Sequence, residues 1–192
     1  MGVAGVFFGV LVGWIVGSQQ SAGHLAAPAP VAAAAPQGAG GSAPAPPPLD
    51  ESRASAMRTT AQQNPTDAVT RVQLGNMYFD AGRYPEAVQY YEQAMKLQPK
   101  DVNVSTDLGI SYYYMNEADK ALAQFQRSLE IDPKHLKTLL NMGIVRAYGK
   151  QDLKGAFEAW QTIIATAPNS EEARAAQQVL DGVKSAHPEI GK

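Results

Sequence analysis

The sequence predicts an all-α array of stacked helix pairs, and three periodic features predict it. Gly75, Gly109 and Gly143 follow one another at intervals of 34 residues, each preceded by Leu74, Leu108 or Met142. A second block recurs in step: Glu86-Ala87 with Tyr91 and Ala94, Lys120-Ala121 with Phe125 and Ser128, then Gly155-Ala156 with Trp160 and Ile163. Each unit closes on a proline, at Pro99, Pro133 and Pro168. A period of this length marks an architecture in which one helix pair cannot bury its apolar face alone. Stacked neighbours supply the core.

Within each unit the residues ask for two helices. In the first, a glycine lets the paired helix approach closely, and Tyr78 or Tyr112 fills the space about one turn further on. In the second, Ala87, Ala121 and Ala156 mark the close crossing, and the rings of Tyr91, Phe125 and Trp160 follow four residues later on the same face. Proline lacks an N–H and disfavours helix in the residue before it, so it ends the second helix. The third unit departs twice. Arg146 stands where the other units have tyrosine, and one additional residue around Gly149-Lys150-Gln151-Asp152 delays Ala156, Trp160 and Pro168 by one position. That spacing predicts a looser or displaced turn there.

Flanking segments complete the array. Asp50–Gln63 reads as a helix ended by Asn64-Pro65, with Pro65 lying 34 residues before Pro99, so it fits the second half of a degenerate unit. After Pro168, Ser170 is a helix N-cap, and Glu171 and Glu172 suit the positive end of the helix dipole. Ala173, Ala176, Leu180 and Val183 then recur at helical spacing, which predicts a C-terminal capping helix.

The Leu-Gly-x-x-Tyr block, the Ala-x-x-x-aromatic block and the closing proline together resemble the tetratricopeptide repeat (TPR). The resemblance divides the chain into an N-terminal capping helix (50–66), three repeats (68–101, 102–135, 136–170) and a C-terminal capping helix (171–187). It implies a superhelix whose concave face is lined by the first helix of each repeat and grips a protein or peptide. The groove positions carried over from the family are Val69, Val72, Asn76, Phe79 and Asp80 in the first repeat. The second repeat adds Asn103, Thr106, Asp107, Ile110, Tyr113 and Tyr114, and the third Lys137, Leu140, Asn141, Ile144 and Tyr148. Aromatic and amide groups side by side suit a peptide backbone. The alternative is that Phe79, Tyr113 and Tyr148 only pack against adjacent helices. Chaperone-binding TPR domains clamp a C-terminal carboxylate with five Lys, Asn and Arg positions. Here Asn76 and Lys137 match, but Val72, Asp107 and Asn141 stand at the other three. A carboxylate would meet Asp107, which disfavours that ligand.

Every Lys, Arg, Asp and Glu lies at or beyond Asp50, which separates an uncharged leader from a charged domain. Residues 1–17 are apolar or glycine throughout, and as a helix they span about 25 Å, near the short limit for crossing a bilayer. An uncleaved transmembrane anchor over 1–18 and a cleaved signal peptide both fit, although the basic n-region of a signal peptide is missing. Gly5, Gly9, Gly13 and Gly17 recur every fourth residue, a face that suits close helix pairing in a membrane and hence a homo-oligomer. Residues 19–49 are an Ala/Pro-rich disordered linker without hydrophobic periodicity, a semi-stiff spacer. A signal anchor followed by a spacer places the repeats on the non-cytoplasmic, periplasmic side of a bacterial inner membrane.

Enzyme chemistry has no carrier here. His24, His135 and His187 have no spacing suited to a metal or to acid–base work, and cysteine is absent. The glycines serve helix packing, so no cofactor is expected. A net charge of −2 lacks the concentrated basic surface that nucleic acid requires. The expected function is a membrane-anchored scaffold that binds a polypeptide and helps assemble a membrane-associated complex. A narrower resemblance links Asp101 through Gly109, and Asp152 through Trp160, to TPR domains of bacterial c-type cytochrome biogenesis factors. That would imply a hold on apocytochrome. A self-associating structural membrane protein is the third reading.

Overall fold

The computed structural model describes residues 45–187. The expected anchor, its four glycines and the linker up to residue 44 lie outside the described residues, as do 188–192. Among the described residues the fold is all-α: α1 (Glu51–Gln63), α2 (Ala68–Asp80), α3 (Tyr84–Leu97), α4 (Val102–Tyr114), α5 (Ala118–Ile131), α6 (Leu136–Ile144), α7 (Leu153–Thr166) and α8 (Glu171–Ala186). A π-helical turn, Val145–Gly149, extends α6. No helix among the described residues is long and apolar enough to cross a membrane.

Side chains just outside the helices set where several of them begin. Asp50 accepts from the Arg53 N–H, Asp67 from Thr70, Asp101 from Asn103 and Val104, Asp152 from Gly155, and Ser170 from Ala173. Each such cap occupies a backbone donor that has no partner inside the helix. Arg71 does the reverse for α1. Its guanidinium donates to the carbonyl oxygens of Ala61, Asn64 and Asp67, tying the end of α1 to the start of α2.

Helices α2/α3, α4/α5 and α6/α7 form three hairpins stacked in sequence, with α1 resting on α2 and α8 resting on α7 and α6. One contact recurs in every hairpin. A Cβ added at Gly75 would lie 2.5 Å from Tyr91 Cε1, and at Gly109 2.6 Å from Phe125 Cε1. At Gly143 it would overlap Trp160 Nε1. The three rings are among the most buried side chains of the protein, and Ala87, Ala121 and Ala156 beside them are fully enclosed. Polar edges of two rings are satisfied as well: Tyr91 Oη donates to Asn76 Oδ1 at 2.7 Å, and Trp160 Nε1 to the Leu140 carbonyl at 3.3 Å.

The additional residue of the third repeat is not where the spacing predicted it. Gly82, Asn116 and Gln151 take the left-handed conformation (φ +71°, +64° and +56°) at the same place in all three hairpin turns, so the third turn is regular. The residue is absorbed upstream, where the backbone widens into the π-helical turn at Val145–Gly149. Arg146, in that turn, donates to the Gly155 carbonyl at 3.0 Å and so bridges to the start of α7.

Substituting Gly109 tests the recurrent contact. Alanine gains about 1 kcal/mol of helix propensity but drives a methyl into the Phe125 ring at a cost of about 1–3 kcal/mol, so Gly109→Ala should lose up to about 2 kcal/mol net. Urea unfolding followed by circular dichroism measures this, and adding Phe125→Leu should recover part of the loss.

Candidate peptide-binding groove

The groove positions implied by the sequence divide into two sets. Thr106, Ile110, Lys137, Leu140, Asn141 and Ile144 are buried, and they do not face solvent as a binding wall would require. The cause lies in their neighbours. Ile110 packs with Ala121, Phe125, Met142 and Val145, the core between the second and third repeats. Leu140 and Ile144 sit in a cluster with Val179, Leu180 and Val183, the apolar stripe of α8. The capping helix thus seals most of the inner wall expected from α6. Val69 is 59% exposed, and Asn103 and Asp80 are exposed as well. Val72, Asn76, Phe79, Asp107, Tyr113, Tyr114 and Tyr148 are half-buried, and together they leave a wall formed mainly by α2 and α4.

Two amides on that wall are held from behind. The Asn76 carbonyl oxygen accepts from the Tyr91 hydroxyl, and the Asn103 carbonyl oxygen sits 3.1 Å from His135 Nε2. The amide nitrogens of both residues make no hydrogen bond among the described residues. Their N–H donors are therefore left over, on side chains whose orientation is already fixed. His135 stands where the preceding repeats have the capping residues Asp67 and Asp101. It makes no cap, and instead joins a chain through the Thr138 hydroxyl (2.8 Å) to that of Thr106 (2.7 Å from Thr138).

Charge on this face is mostly acidic. Asp107 accepts from Lys137 Nζ at 2.7 Å, and Lys137 is nearly enclosed, so its charge is spent internally. Asp80 is exposed at its edge, yet partial burial, and then the charge of Asp107, raise its pKa. Tyr91 is pushed well up, first by burial and then by the same two carboxylates.

An aromatic rim closes one end. Tyr84 stacks on Tyr114 at 4.8 Å, Phe79 meets both edge-on at 5.3 and 5.5 Å, and Tyr113 lies 6.1 Å from Tyr114. Burial raises the pKa of Tyr113, Tyr114 and Tyr148. Phe79, Tyr113 and Tyr148 thus pack against neighbours, as the alternative reading of the sequence has it, yet each stays half-buried and keeps part of its ring open. Tyr84 belongs to this rim and was not singled out from the sequence, because the matching residue one repeat later is Ala118 and no periodic signal marks it.

With this geometry in hand, comparison with known proteins defines the class. The tetratricopeptide repeat model matches residues 66–134, so that stretch carries tetratricopeptide repeats. Solved structures share the fold. MamA aligns with a TM-score of 0.58 at 16% identity, covering 72% of this chain and 89% of its own. The first TPR of Spaghetti (RPAP3), bound to the HSP90 peptide SRMEEVD, gives 0.56 at 23% identity, covering 62% and 94%. The first TPR domain of human RPAP3 gives 0.58 at 22% identity, covering 66% and 96%. No curated protein sequence matches the chain.

His135 gives this wall a pH dependence. Burial lowers its pKa, as does Lys137, against the opposing pull of Asp132, Asp107 and Glu172. A histidine with a depressed folded-state pKa binds fewer protons folded than unfolded, so its contribution is intact above about pH 6.5 and is lost as the pH falls below that value. Urea midpoints should therefore decline on acidification below about pH 6.5, and His135→Asn should flatten that decline.

Proposed function

We propose that this protein is a tethered adaptor whose inner wall, formed by α2 and α4, holds an extended segment of another polypeptide. The observation that carries the reading is the pair of pre-oriented amides, Asn76 and Asn103, each fixed through its carbonyl oxygen and each offering unused N–H donors. Such donors match the carbonyl groups of an extended backbone, while Val69, Val72 and the open faces of the aromatic rim supply apolar contact. Fixing the donors before binding reduces the entropy lost on association. Similarity to a TPR bound to an HSP90 peptide supports a peptide as the ligand class. It does not extend to that peptide's chemistry. The lysine that matches the carboxylate clamp is already bonded to Asp107, and Asp80 adds like charge beside it.

On this reading residues 1–18 anchor the protein in a bacterial inner membrane, residues 19–49 space the array from the surface, and the repeats work on the periplasmic side. The unbroken apolar run and the abrupt onset of charge at Asp50 support it. The repeat match is to tetratricopeptide repeats in general and does not reach the narrower cytochrome-biogenesis resemblance.

Selection of a displayed library of twelve-residue peptides against the full chain in detergent tests the groove. Selected peptides should bind saturably, and Asn103→Ala and Val69→Glu should each weaken them by about tenfold, the worth of one hydrogen bond or one apolar contact. The peptide SRMEEVD should bind no better than its scrambled form. Tight binding of SRMEEVD, or selected peptides indifferent to both substitutions, would defeat the proposal. The anchor is tested separately by protease digestion of spheroplasts, in which the repeats should be cleaved while intact cells protect them.

A further inference from the structure

Tyr78 and Tyr112 hold the same place in successive repeats, but the side formed by the second helices surrounds them differently. Tyr90 stacks on Tyr78 with ring centroids 5.3 Å apart and planes within 8°, while the Arg83 guanidinium lies 4.9 Å from the Tyr78 centroid. Arg58 donates to the Tyr78 hydroxyl at 2.5 Å. One repeat on, the residue matching Arg58 is Glu92, which accepts from the Tyr112 hydroxyl at 2.9 Å. The residue matching Tyr90 is Gln124. Tyr112 keeps a cation over its ring, Lys120 Nζ at 5.6 Å from the centroid, but no ring stacks on it among the described residues. A hollow of about 720 Å³ lies between α3 and α5 beside it, with Met95, Leu108 and Ile131 among its walls.

The base of this hollow is lined by small hydroxyl and amide side chains that the other repeats lack at the matching places. Ser105 Oγ accepts from Gln124 Nε2 at 2.7 Å and pairs with Ser128 Oγ at 2.8 Å, and all three side chains are buried. The first repeat has Arg71, Tyr90 and Ala94 at these places, and the third has Leu139, Ala159 and Ile163. Gln124 Oε1 has no partner among the described residues. Around the opening stand Lys96, Lys100 and Arg127, against Glu130 and a Glu92 already bonded to Tyr112.

We propose that this hollow is a second binding site, on the opposite side from the inner groove, for an aromatic side chain presented by an acidic segment of a partner polypeptide. Its template is internal: Tyr90 shows what packs on a tyrosine at this point of the repeat. The incoming ring stacks on Tyr112 between the alkyl groups of Met95 and Ile131. A phenol hydroxyl donates to Gln124 Oε1, and flanking carboxylates meet Lys96, Lys100 and Arg127. Ring stacking, an apolar wall and a few placed polar groups are the usual make-up of such a pocket. The site stands independently of the inner groove, because none of its residues lies on that wall.

The test uses the full chain in detergent and two probes, acetyl-EEYEE-amide and acetyl-EEAEE-amide, titrated by calorimetry. The tyrosine peptide should bind at least about tenfold more tightly than the alanine peptide, as loss of a stacked ring predicts. Gln124→Tyr copies the Tyr78–Tyr90 pairing into the second repeat and should abolish that preference while leaving library-selected peptides bound in the inner groove. Should Gln124→Tyr fail to fold, the exposed Arg127→Glu decides, and it should weaken the tyrosine peptide severalfold. Equal binding of the two probes, no binding of either, or a preference that survives the substitution would overturn the site.

Discussion

A ring pressed against a missing Cβ governs this structure. In each hairpin the aromatic residue of the second helix occupies the space that a side chain on the first-helix glycine would take. The spacing of the two helices is thereby set by ring thickness rather than by a general apolar seam. Because Tyr91, Phe125 and Trp160 are buried and their glycines recur with the repeat, the hairpins share one geometry and can stack. The constraint also reaches the surface. Tyr91 packs on Gly75 and with its hydroxyl holds Asn76, the next residue, so the contact that fixes the first hairpin also orients a donor on the inner wall.

This constraint is also what made the core legible in the sequence. Glycine, alanine, ring and proline at one period leave few alternatives, since each type answers a separate steric demand. Finer features were legible only where they too were periodic. Counting places the additional residue of the third repeat somewhere between Gly143 and Ala156. The backbone decides between those bounds by keeping the left-handed turn residue, Gln151, in line with Gly82 and Asn116 and widening the helix before it. His135 had a signal, a histidine where two capping aspartates precede it, but its tie to Asn103 depends on how two helix starts meet in space.

The groove was least legible, and the reason is physical. Assigning concave positions from the repeat treats all three first helices as equivalent, whereas the array ends. The apolar stripe of α8 is visible in the sequence, yet it does not say which surface it covers. In the structure it covers Leu140 and Ile144, so positions that stay half-buried on α2, Val72 and Asn76, are closed on α6. Val69 on the first repeat and Lys137 on the third illustrate the contrast, one exposed and the other nearly enclosed in an ion pair.

Fold and surface are therefore under different control along the chain. The first repeat fills its outer side with Tyr90 on Tyr78 and leaves its inner side open, while the third closes its inner side under the cap. The second repeat is open on both, because Asn103 and Tyr113 remain accessible inward and Gln124 replaces a ring outward. Each of these differences falls at a position outside the glycine–ring contact, which all three repeats keep. A hairpin locked by that contact tolerates a serine, a glutamine or a histidine elsewhere in its core without losing its shape. Departures from the repeat pattern are thus the places where the surface is free to acquire binding chemistry, and those of the second repeat leave both of its sides open.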